Sequence, residues 1–81
     1  MSILVEDVLD AWRDAERLLA EAPEGTEHDS LQETIVSLKA LYAELTATSD
    51  LTARKIARGT AIVRRSREVL AEAHRRLSGG A

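Results

Sequence analysis

The chain has 81 residues, no Cys and a net charge of −3, which excludes a disulfide framework or thiolate site and leaves room for one small domain. Thirteen of its hydrophobic residues are Ala, and Trp12 and Tyr42 are its only aromatics, so a lone chain has little bulk for a core and self-association is expected. No basic segment precedes the apolar run Ile3, Leu4, Val5, and the longest unbroken apolar run is Ala40 to Ala43; neither a signal core nor a spanning helix is expected, no membrane partner is inferred, and the expected location is cytoplasmic.

The first predicted element is a helix over about residues 3–22. Leu4/Val5, Val8, Ala11/Trp12, Ala15, Leu18/Leu19 and Ala22 alternate steps of three and four, as one face of a helix requires, while Asp7, Asp14 and Glu21 fall on another face. Ser2 is a candidate N-cap. Ala22-Pro23-Glu24-Gly25-Thr26 holds the chain's one Pro and its first Gly, which predicts a tight connection.

A second helix is predicted over about 27–47 from Leu31, Ile35, Leu38, Leu41/Tyr42 and Leu45. Thr26 with Asp29 has the form of a capping box, and Ser30 with Glu33 is the competing start. The following break, Thr46-Ala47-Thr48-Ser49-Asp50, contains neither Gly nor Pro. Ser49 or Asp50 is the expected cap of a third helix, and one continuous helix over 27–77 is the alternative.

The third helix is predicted over about 51–77, with a short tail at 79–81. Ile56, Val63, Leu70 and Leu77 recur every seven residues, and Gly59, Ser66 and Ala73 follow the first three of them by three. Large residues at one position of this seam and small ones at the other admit a close neighbour helix. The expectation is a homodimer formed through Ile56, Gly59, Val63, Ser66, Leu70, Ala73 and Leu77. The predicted fold is therefore all-α: a three-helix antiparallel bundle, or a helical hairpin with a longer third helix, that dimerises.

Charge is divided along the chain. Residues 1–50 carry 12 acids and three bases, and residues 51–81 carry eight bases and two acids. A basic helix lying against acidic ones, within a chain or between chains, explains the partition; a basic arm for nucleic acid is the rival explanation. Arg54, Arg58 and Arg65 share a face outside the seam, and Arg64 lies beside it. They suit phosphates or the carboxylates of an acidic protein partner. Against nucleic acid, no aromatic interleaves these bases, and Glu68 and Glu72 interrupt the stripe. Local pairs Arg64–Glu68 and Glu72–Arg76 are expected at i,i+4.

Catalytic signals are weak. His28, between Glu27 and Asp29, is expected in solvent, and His74 lies beside the seam near the helix end. Neither completes the Glu-x-x-His pattern of a di-iron bundle, because Gly25 and Ala71 stand three residues before them. Carboxylate pairs such as Glu6/Asp10 and Asp10/Asp14 read as a solvated face rather than an acid–base pair. No catalytic, cofactor-binding or metal residue and no small-molecule substrate is inferred. The expected function is a non-enzymatic protein-interaction module that self-associates through its third helix; a small nucleic-acid-associated protein using Arg54, Arg58, Arg64 and Arg65 is the alternative. Nine Arg against two Lys, with abundant Ala, resembles bacterial high-GC usage.

Overall fold

A computed structural model describes residues 3–22, 24–47 and 52–78. Three helices form, α1 (Ile3–Glu21), α2 (Thr26–Ala47) and α3 (Ala53–Ser78), and each packs against both others in an elongated bundle of 46 × 18 × 16 Å. None of them is long and apolar enough to cross a membrane. Contacts at their two ends give the directions. Glu27 at the start of α2 meets Arg76 near the end of α3, and Glu44 near the end of α2 meets Arg58 near the start of α3, so these two run antiparallel. His28 in the first turn of α2 reaches back to Ala22 at the end of α1. The third pair is consequently parallel: Leu4 lies at Gly59 and Asp7 at Arg67.

Each helix contributes differently to the core. The buried face of α2 is bulky, with Leu31, Ile35, Leu38, Leu41 and Leu45. Val8 and Leu18 of α1 and Val63 and Leu70 of α3 share the core with it, interspersed with small buried residues, Ala11, Ala15 and Ala22 on α1 and Gly59, Ser66 and Ala73 on α3. Gly59, with Leu4 of α1 and Leu41 of α2 against it, lets the helices approach closely there, because side-chain size at the contact sets the interaxial distance. A chain with two aromatics thereby fills a core.

The connections depart from the predicted chemistry. Gly25, at φ 101°, makes the turn into α2, and its carbonyl accepts the first backbone bond of that helix from the Asp29 amide at 3.2 Å. An L side chain is strained at such a φ, so Gly is required there. No side-chain bond of Thr26 or Asp29 is present among the described residues, so the expected capping box does not form. The end of α1 is instead closed by His28, which is half-buried rather than in solvent; its Nδ1–H donates to the Ala22 carbonyl at 3.0 Å. Thr52 caps α3, its hydroxyl accepting from the Lys55 amide at 3.3 Å and its carbonyl from the Ile56 amide at 3.0 Å. The expected caps Ser49 and Asp50, and the tail at 79–81, lie outside the described residues. A continuous helix over 27–77 does not form, since α2 ends at Ala47 and α3 packs back along it.

Candidate interaction surfaces

The seam on α3 is occupied within the chain. Gly59, Val63, Ser66, Leu70 and Ala73 are buried, and Leu77 is half-buried against the same core. The Gly59 backbone shows why the seam is tight: a Cβ built on it would lie 2.9 Å from Leu4 Cδ2 and 3.3 Å from Leu41 Cδ1. These residues therefore face α1 and α2 of their own chain, which corrects the expectation that the seam is a free face for a second copy. Ile56 is the exception. It lies one turn before Gly59, beyond the level of Leu4 near the start of α1, and is 43% exposed.

The charge partition has a direct structural expression. α1 carries six acids and two bases, α2 four acids and one Lys, and α3 eight bases and two acids. Three cations of α3 reach across to the acidic helices: Arg58 to Glu44 at 3.7 Å, Arg67 to Asp7 at 3.8 Å and Arg76 to Glu27 at 2.9 Å. A basic helix against acidic ones is thus realised inside the bundle. Of the four residues assigned to a basic face, Arg58 is used in this way. Arg54, Arg64 and Arg65 are exposed and make no ion pair among the described residues. Arg65 borders the α2–α3 groove beside Ser30, Glu33 and Ser37. The expected Arg64–Glu68 pair is not among the ion pairs of the described residues, whereas Glu72–Arg76 forms at 3.0 Å.

Glu72 is the best-coordinated carboxylate. Hydrogen bonds from Arg75 and then from Arg76 hold its carboxyl below the usual glutamate range. Arg76 is correspondingly raised by its bonds to Glu27 and then Glu72. The sign follows from linkage. A depressed carboxyl stabilises the fold above its unfolded pKa and loses that contribution as pH falls through the folded value. Melting temperature is therefore expected to decline on acidification below about pH 4.3, and Glu72→Gln is expected to have a shallower acid limb. Thermal melts across pH 3 to 6, in about that interval, read the difference; identical limbs would remove Glu72 from the account. Because the group is exposed, the effect is small and is weakened further by salt.

Polar clefts run between the helices. An open cleft of about 600 Å³ between α1 and α3 is lined by Asp10, Asp14, Arg17, Arg67, Leu70 and His74. Arg17 pairs with Asp14 and Arg67 with Asp7, so the charges along it are largely balanced by neighbours. Among the described residues no group of three or more His, Cys, Asp or Glu could hold a metal ion. Trp12 and Tyr42, half-buried at the α1–α2 boundary, meet edge to face at 5.8 Å, with Lys39 Nζ 5.8 Å from the indole centroid. The Trp12 Nε1–H donates to Glu16 at 3.3 Å, so the indole is a boundary residue with a wet edge. Comparison with known proteins gives no matching family model, no matching curated protein and no matching solved structure.

Proposed function

We propose that this chain is a non-enzymatic helical interaction module whose α3 cations recognise an acidic protein surface. The observation that carries the reading is how α3 uses its arginines. Arg58, Arg67 and Arg76 are already matched to carboxylates of α1 and α2, while Arg64 and Arg65 project from the same helix, exposed and without an ion pair among the described residues. A face that binds carboxylates internally has the chemistry to bind them externally, since a guanidinium takes a carboxylate through two parallel N–H donors.

Nucleic acid is the second reading, supported by the excess of cations on α3 alone. The acids of α1 and α2 beside that helix lower the potential a phosphate backbone would meet, and the overall charge is negative. Titration with labelled poly-glutamate and with random duplex and single-stranded oligonucleotides, each at about 50 and 200 mM salt, separates the two. The expected result is weak binding to poly-glutamate that Arg64→Ala/Arg65→Ala reduces, and negligible affinity for oligonucleotides. Oligonucleotide binding that falls steeply with salt would transfer the assignment to the second reading. No binding to any of the three would overturn both.

A further inference from the structure

α2 is apolar on two opposite sides. Its inner face is the bulky row that fills the core. On its outer face Val36, Ala40, Ala43 and Ala47 recur at steps of four, three and four, and all are exposed, Val36 by 65%. A heptad repeat has this spacing. The stretch is also short of charge: from Val36 to Ala47 only Lys39 and Glu44 are ionised, in a chain where 31% of residues are charged. The solvent side of α1 carries charges along its length, and the second half of α3 carries Arg64, Glu68 and Arg75 on its solvent side. Depletion of charge around an exposed apolar row marks the centre of a protein contact.

Those two charges identify the occupant. In the heptad defined by the apolar row, Lys39 takes the flanking position before Ala40 and Glu44 the one after Ala43. They lie on opposite flanks: Lys39 leans toward α1, over the Trp12 ring, and Glu44 toward α3, beside Arg58. Residues five apart on opposite flanks are the pair that parallel helices bring together across their seam. A parallel two-fold arrangement of α2 helices therefore sets Lys39 of each copy against Glu44 of the other, twice. An antiparallel arrangement sets the Lys39 flanks together and the Glu44 flanks together, which repels. The small residues allow the backbones to approach, and Val36 supplies the one large apolar contact.

We infer that the outer face of α2 is a self-association surface, on which a second copy of this chain packs in parallel with reciprocal Lys39–Glu44 pairs. This surface is separate from the α3 cations, and the two readings stand or fall independently. The patch is smaller than the roughly 800 Å² per partner of a stable complex, so the dimer is weak, with a dissociation constant on the order of 10 to 1,000 μM.

Sedimentation equilibrium from about 10 μM to 1 mM tests the surface. A monomer–dimer equilibrium is expected, with Ala43→Arg monomeric throughout. Lys39→Glu and Glu44→Lys are each expected to weaken the dimer by roughly tenfold, and Lys39→Glu/Glu44→Lys to restore most of the loss. Direction is read by cross-linking, for which the natural absence of Cys is convenient. Oxidised Val36→Cys and Ala47→Cys should each form a disulfide-linked dimer much faster than Ala71→Cys on the outer side of α3, because both ends of the row meet their own copies only in the parallel arrangement. A monomer at the highest concentration, a dimer indifferent to Ala43→Arg, or cross-linking at residue 36 or 47 no faster than at residue 71 would each overturn the inference. Circular dichroism of each variant distinguishes lost association from lost folding.

Discussion

Leu38→Ala is expected to destabilise the bundle by about 2 to 5 kcal/mol, enough to leave a domain of this size largely unfolded near body temperature. Leu38 is fully buried in the middle of α2, at the centre of the bulky row in the core shared with α1 and α3. Truncating it removes transfer free energy and leaves a cavity. Val36→Ala, two residues away on the opposite side, is expected to change stability by less than about 0.5 kcal/mol in dilute solution. Urea titration of both variants gives the contrast. Equal losses would mean that the two faces of α2 have been assigned wrongly.

Gly59→Leu is the second large effect, expected to cost at least the roughly 1 to 3 kcal/mol of ordinary overpacking, a fall in melting temperature on the order of 4 to 8 °C for each kcal/mol. A first side-chain atom at this position would already lie 2.9 Å from Leu4 Cδ2 and 3.3 Å from Leu41 Cδ1; a leucine brings three more carbons into the same space. Gly59→Ala is a graded control. The Leu4 tip, at the end of a flexible side chain, can retreat by a few tenths of an ångström. The gain in helix propensity, about 1 kcal/mol for Gly to Ala, offsets most of what that shift costs. Near-neutral Ala with strongly destabilising Leu is the expected pattern in thermal melts, and a leucine variant as stable as the parent would show that α3 does not pack tightly at Gly59.

Much of the fold is legible in the residue pattern because helical periodicity reports which side of a helix is buried. The three observed helices begin and end within two residues of the predicted limits at every boundary, and the seam residues from Gly59 to Ala73 are buried as a face. Periodicity carries no information about what covers that face. A heptad on α3 is compatible with a second chain or with α1 and α2, and three-dimensional packing selects the latter. The outer row of α2 is silent for the same reason: Ala40, Ala43 and Ala47 are equally at home in a core, on a surface or in a contact. His28 was unreadable for another reason. Its hydrogen bond joins the end of one helix to the start of the next across six residues, and no local motif announces such a clasp between flanking acids. Charge was the most transferable signal, because opposite totals on adjacent segments of a short chain have few places to go other than against each other.

The position of the single indole has an experimental consequence. Trp12 touches Tyr42 edge-on and lies under Lys39, all of it on the boundary between α1 and α2, with none of these partners on α3. Its emission is accordingly a local gauge of whether the first two helices are together. Far-ultraviolet ellipticity, by contrast, sums over all three, and α3 is the longest. Superimposable curves from the two signals would mark a single cooperative transition. An ellipticity loss that precedes the fluorescence change would reveal a helical hairpin outliving the departure of its third member, and would show that the cross-helix arginines, rather than the leucines of α2, set the weakest join in the molecule.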